Sequence, residues 1–207
     1  MSNRLYFKQI EIGPMQNYVY LIGSAETRKV AVVDAAWEID TILKIAAQDG
    51  VEITHAFVTH THPDHVGGRF ANVEIPGVDE LLSRCKAKVV VHKAEVEALK
   101  GLAASDVIKA ESGDKIDVGG IEIQLLHTPG HTPGSQCFLV DGRIVSGDTL
   151  FTNACGRVNF PGGIFAPNYF AIFSLGANNL PALAQGINKI SINSRCCAGT
   201  AFIIFRI

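Results

Sequence analysis

Three imidazoles and one carboxylate fall within six residues, His60-Thr-His62-Pro-Asp64-His65. A chain carrying such a cluster must hold it on a rigid corner of the fold. Imidazole together with carboxylate is the ligand chemistry of zinc and of non-haem iron. The residues before it, Ile53–Thr59 (Ile-Thr-His-Ala-Phe-Val-Thr), are β-branched and aromatic and read as a buried strand, and Gly67-Gly68 follow. The histidines are therefore placed on the loop that leaves a strand. Residues two apart in an extended segment project to one side, so His60 and His62 can converge on one ion while Asp64 and His65 face a neighbouring position. Pro63 fixes one backbone angle between the two pairs. The competing reading is a solvated loop that is merely rich in histidine.

Two further segments have the same character. Ile121–His127 alternates branched and polar residues and ends in Thr128-Pro-Gly-His131-Thr-Pro-Gly134. A loop with two prolines and two glycines has little freedom to lose, so it can hold His131 rigidly at a strand end. The hairpin Cys137–Val140 and Arg143–Ser146, turning on Asp141-Gly142, delivers Gly147-Asp148-Thr149. Singly, His131 or Asp148 reads as an ordinary turn residue; with the first cluster they make a set.

That set resembles the metallo-β-lactamase superfamily and, within it, the glyoxalase II-like (hydroxyacylglutathione hydrolase-like) hydrolases. The resemblance is carried by Thr59–His65, Thr128–Gly134, Ser146-Gly-Asp148-Thr-Leu-Phe, and Cys155-Gly-Arg157 with Phe160-Pro-Gly-Gly163. It implies a four-layer αββα sandwich, with the C-terminal half incomplete if the tail is atypical. It also implies His60, His62 and His131 on a first metal, Asp64 and His65 on a second, and Asp148 bridging the two. The implied activity is a zinc-dependent hydrolase with one or two ions that cleaves a thioester or related small acyl ester, a glutathione-derived one among those the resemblance implies. In that chemistry metal-bound water ionises near neutral pH, Asp64 orients the nucleophile or carries its proton, and no Ser or Cys nucleophile is required. Arg157 is a candidate to neutralise a substrate carboxylate or, equally, to lock its loop to Asp148.

The chain departs from the family late. A dinuclear member supplies one more histidine, but the seven here lie at 55, 60, 62, 65, 92, 127 and 131. Three readings follow: a weakened, mostly mononuclear site; Cys196 or Cys197 standing in as a thiolate; or the chemistry of the persulfide dioxygenases. Those share the fold and hold one Fe2+ with two His and one Asp, matching His60, His131 and Asp148. The tail is unusual as well. All twenty acidic residues precede Thr149, and no residue from Val158 to Asn188 is charged. Residues 1–163 look family-like and 164–207 atypical within one domain of 1–207. A change of reading frame near Gly163, giving an inactive or degenerate homologue, is a third functional expectation, which sequencing the gene across codons 155–170 tests.

Composition excludes several classes. With 47% apolar residues over 207 positions, the chain can bury a full core. A net charge of −2 without a basic stripe argues against nucleic acid as a partner. Pro161, Pro167 and Pro181 interrupt the uncharged tail, so no membrane span is expected. Met1–Lys8 lacks an apolar signal core, which points to the cytoplasm, and five Cys without a C-x-x-C pair form no disulfide framework.

Strands are expected over Tyr6–Ile12, Tyr18–Ile22, Val30–Val33 and Lys88–Val91, and helices over Ile39–Gln48, Val78–Cys85 and Ala94–Leu102. His92 is read as a capping or surface residue, His127 as structural, and His55 as a surface residue ahead of a strand. Asp34 is read as a carboxylate that holds a loop.

Overall fold

A computed structural model describes residues 4–151 and 154–159. Strands β1 (Leu5–Ile12), β2 (Asn17–Ser24) and β3 (Lys29–Val33) form an antiparallel meander. Helix α1 (Ile39–Asp49) then leads to β4 (Glu52–Phe57), the one-turn helix α2 (Pro63–Val66) and the small hairpin β5 (Gly68–Phe70) and β6 (Val73–Ile75). Helix α3 (Val78–Arg84), β7 (Lys88–His92), a 3-10 segment (Lys93–Leu99) and β8 (Val107–Ala110) complete a sheet of order β1-β2-β3-β4-β7-β8. A second, antiparallel sheet has the order β12-β11-β10-β9, from β9 (Lys115–Asp117), β10 (Glu122–His127), β11 (Gln136–Val140) and β12 (Arg143–Val145). β13 (Leu150–Phe151) pairs with β14 (Ala154–Cys155).

The first sheet is covered on both faces, which is why its central strands are apolar throughout rather than alternating. Val30, Val32, Val89 and Val91 pack with Ile39, Ile42 and Ala46 of α1 and Leu81 of α3. Their neighbours Ala31, Val33 and Val90 face the second sheet and join Ile123, Leu125, Phe138 and Val140. Each large side chain fully withdrawn from water there contributes about 1.5–3 kcal/mol. Helix α1 presents its buried residues at helical spacing and stops at Gly50, whose φ of 64° is the left-handed conformation that closes a helix. The result is a mixed α/β sandwich with a helical layer, two sheets and a core between each pair. A fourth, outer helical layer is not among the described elements, and Phe160–Gly163, Cys196 and Cys197 lie outside the described residues.

The parallel strands β3, β4 and β7 end on one edge, so Asp34, the cluster Thr59–His65 and the corner His92–Glu95 all leave the sheet together. Two expectations change. The helix expected to reach Leu102 is instead wound as a 3-10 segment over Lys93–Leu99, with Glu95 drawn inward and buried. His55 lies inside β4, half-buried against Phe57 with ring centroids 6.1 Å apart, because the strand begins at Glu52. A bulge in the β3–β4 register pairs Val30 with Ile53 but Ala31 with His55. It keeps Ile53 and Ala56 together in the helix-side core. Among the described residues no helix is long and apolar enough to cross a membrane.

Candidate metal centre

Beyond β4 the chain alternates in function. Thr59 and Thr61 turn toward buried carboxylates, while His60 and His62 point the other way and meet His131. His62 is extended (φ −67°, ψ 146°) and caps α2, with Pro63 at the first helical position. Asp64 and His65 therefore sit on a helical turn rather than on open loop. His60 Nε2 lies 3.1 Å from His62 Nδ1, which lies 3.0 Å from His131 Nε2. One nitrogen from each of the three rings falls within 4.8 Å of the others. A second such group joins His60, His65 and Asp148. Asp148 stands between the groups: Oδ2 is 3.4 Å from His131 Nε2, and Oδ1 is 3.3 Å from His65 Nε2. Asp64 belongs to neither tight group, although its Oδ2 lies 3.4 Å from His65 Nε2.

Hydrogen bonds on the far side of the rings set the tautomers. His131 Nδ1 donates to the Arg157 carbonyl oxygen at 2.7 Å, so its Nε2 carries a lone pair. The Thr59 hydroxyl donates to Asp34 Oδ2 at 2.6 Å, and its oxygen then accepts from His60 Nδ1 at 3.1 Å, which leaves the His60 Nε2 lone pair facing inward. His65 Nδ1 donates to Asp34 Oδ2 at 2.9 Å, which turns its Nε2 toward Asp64 and Asp148. His60 and His131 thus both present acceptors to His62, whose Nδ1 can donate to only one of them. A cation would satisfy all three nitrogens at once.

The electrostatics agree. Burial, reinforced by His65, His131 and His62, holds His60 well below the usual histidine range, and burial with His131 lowers His62. Both rings are neutral at pH 7, the form in which histidine binds metal. Burial opposes charge on His65, but Asp148 and Asp34 outweigh it and raise its pKa. For Asp64 burial acts upward, but the neighbouring His65 and the Asn17 amide more than offset it, keeping the carboxyl well below its ordinary range. The His65 side of the centre is thus organised to hold positive charge. His65 Nε2 and Asp148 Oδ1 are buried, and neither forms a hydrogen bond among the described residues. The donor set fits a metal ion on both sides of Asp148.

Close backbone approach brings the second sheet's loops in. Gly147 has φ 49°, and a Cβ there would lie 2.5 Å from Thr59 Cβ. At Gly156 a Cβ would fall on the Asp148 carbonyl oxygen. Gln136 ties the sheets together, its backbone N–H donating to the Thr59 carbonyl and its side chain to the Val58 carbonyl.

Asp34 holds the loop as expected: Oδ1 accepts from the Thr59 backbone N–H at 2.8 Å, and Oδ2 serves Thr59 Oγ1 and His65. His92 caps the following segment by accepting from the Ala94 N–H, and it stacks on His127 with centroids 3.9 Å apart. His127 binds the Pro133 carbonyl and is structural. Arg157 is exposed, and its backbone carbonyl, not the guanidinium, is what the structure places against His131. Two residues were not legible in the sequence. Asn17 donates to the Asp64 backbone carbonyl (2.9 Å) and Oδ2 (3.1 Å). Glu95 is a buried acid beside the histidines that reads, in Lys93–Lys100, as part of a solvated charged face.

Comparison with known proteins agrees with this geometry. Residues 12–184 match the family model described as Metallo-beta-lactamase superfamily, and the chain belongs to that superfamily. It is 34% identical over 140 residues to the probable polyketide biosynthesis zinc-dependent hydrolase PksB of Bacillus subtilis, covering 68% of this chain and 58% of that protein. It is 35% identical over 144 residues to a hydroxyacylglutathione hydrolase of Rhodopseudomonas palustris, covering 69% and 51%. The chain thus spans between about half and three fifths of the length of these curated relatives. Among solved structures, ETHE1 from Myxococcus xanthus superposes with a TM-score of 0.67 at 30% identity over 81% of this chain and 68% of that one. TTHA1623, solved in a di-iron-bound form, gives 0.64 at 26% identity, covering 85% and 86%.

Proposed function

We propose that the chain is a metal-dependent hydrolase of thioesters or related small acyl esters. The observation that carries this reading is the placement of Asp148, with one carboxylate oxygen beside the three-histidine group and the other beside His65. His60, His62 and His131 would hold one ion, Asp64 and His65 the other, with Asp148 between them. The metal, zinc on this reading, supplies hydroxide at neutral pH and polarises the acyl carbonyl. The chain's own groups do the rest. On this reading Asp64, steadied by Asn17, orients the attacking water. Asp34 and the Arg157 carbonyl orient the His65 and His131 rings. Arg157 itself is exposed at the edge of the centre, where it can meet a substrate carboxylate.

The hydroxyacylglutathione hydrolases among the relatives support a glutathione-derived thioester as substrate. A cytoplasmic location is part of the same reading. A second reading, a single iron held by His60, His131 and Asp148 for oxygen chemistry on a persulfide, is favoured by the His131–Asp148 contact; TTHA1623 also takes iron, there as a pair.

Metal content of protein purified without added metal, together with hydrolysis of a hydroxyacyl-glutathione thioester, tests both. Zinc with turnover that His131→Ala abolishes supports the hydrolase. One iron per chain with oxygen uptake that survives His65→Ala supports the second reading. Neither metal nor turnover would identify an inactive homologue and overturn both.

A further inference from the structure

We infer that Glu95 is a positioning residue that joins the two halves of the metal centre, setting His131 against His60 and His62. The inference rests on the metal-centre reading above. Its basis is one buried side chain with two loops attached. Glu95 Oε2 accepts from the Thr61 backbone N–H at 2.6 Å and from Thr61 Oγ1 at 2.5 Å. Glu95 Oε1 accepts from the Gly134 backbone N–H at 2.9 Å and from the Thr132 hydroxyl. Thr61 lies between His60 and His62, and Thr132 follows His131. Each carboxylate oxygen therefore grips one ligand loop, and the two loops leave different sheets.

Three features show that the contact is built rather than incidental. Glu95 and Asp34 are the acidic residues that are buried among the described residues, and burying a carboxylate is costly unless it is fully hydrogen-bonded. The loop is shaped to admit it: a Cβ at Gly134 would collide with Glu95 Cγ and lie 3.1 Å from Cδ. The third is the division of labour between the two acids. Asp34 holds His65 directly and His60 through Thr59, contacts made entirely within the first sheet's loops. Glu95 holds neighbours of His60, His62 and His131 and makes no hydrogen bond to His65, Asp64 or Asp148 among the described residues. Its action should therefore fall on the three-histidine group.

Glu95→Gln separates the roles with little change in volume. An amide has one accepting oxygen, so it can serve one loop and must turn N–H donors toward the other. In the metal-free chain, hydrogen exchange read at the Thr61 and Gly134 amides should show at least one of the two losing protection. Zinc affinity, read by competition with a chromophoric chelator, should fall about 10- to 100-fold, the usual effect of removing a partner that orients ligands. Thr132→Val, which keeps the Gly134 contact, should weaken zinc by a smaller factor, and Glu97→Gln on the exposed face of the same segment should change nothing. If Glu95→Gln does not fold, Thr132→Val decides: zinc affinity equal to the parent's overturns the inference. Full amide protection in Glu95→Gln, or folded Glu95→Gln binding zinc within about twofold of the parent, overturns it as well. Failure of the parent chain itself to bind zinc would count against the metal-centre reading, and the amide protection would still test the bridge.

Discussion

The two sides of Asp148 are built on different principles. On one side are three imidazoles drawn from both sheets, whose difficulty is assembly: His60 and His62 arrive on one loop and His131 on another. On the other, His65 is surrounded by Asp34, Asp64 and Asp148, and the difficulty is charge. Rings with no carboxylate cluster around them need only be brought together, so hydrogen bonds to neighbouring threonines and carbonyls suffice. A buried cluster of carboxylates around one imidazole needs positive charge to be stable.

The largest expected effect separates the two. His131→Ala removes the second sheet's contribution to the three-histidine group and should lower thioester hydrolysis by more than about 100-fold, beyond the loss typical of an orienting partner. His65→Ala should cost about tenfold, because the three-histidine group survives it. Steady-state rates for the two variants decide the matter. Equal losses would mean that the sides act as one unit and would break the comparison.

Much of this contrast was visible in the residues alone. The strand before the cluster, helix α1 with its stop at Gly50, and the two-residue Asp141-Gly142 turn follow from local spacing and turn chemistry. The two ligand-bearing loops were recognisable because histidine-rich and proline-glycine-rich segments are rare and local. What stayed hidden depends on distance along the chain. Glu95 sits among Lys93, Glu97 and Lys100, and only the 3-10 winding that turns it inward distinguishes it from a surface residue. Asn17 reaches Asp64 across 47 positions. The Arg157 carbonyl works through the backbone and so has no side-chain signature.

The next effect is on stability. Asp34→Ala leaves the Thr59 backbone N–H, the Thr59 hydroxyl and His65 Nδ1 without their acceptor. Breaking a buried, charged network of this kind costs about 3–5 kcal/mol, measurable as a lower denaturant midpoint. The loss should exceed that of Glu97→Gln many times over and should weaken the charged side first. Gly147→Ala is expected to be milder, about 1–3 kcal/mol, since it must push a methyl group against Thr59 at a left-handed backbone position. If its midpoint matches the parent's, the close approach of the Asp148 loop to Thr59 is not what holds the two sides together.

The smallest effect reports on the second sheet beneath His131. Cys137 is buried in β11, and its pKa is raised to about 11, burial dominating over hydrogen bonds from Thr128 and Thr149 that act the other way. A raised thiol pKa means that the folded chain holds its proton more tightly than the unfolded chain. The corresponding stability is full below pH about 9 and is lost as pH rises toward about 11. Two consequences follow. At pH 8 the folded protein should leave Cys137 unmodified by an alkylating reagent, with half-buried Cys85 reacting first, as mapped by mass spectrometry. Because Cys137 lies against Thr128 and Ser146, at the roots of the His131 and Asp148 loops, its labelling requires those roots to open. Labelling that rises in Glu95→Gln while the denaturant midpoint stays near the parent's would locate the opening at the junction between the sheets. Labelling that tracks global unfolding in every variant would show instead that the two sides of the centre come apart only when the whole fold does.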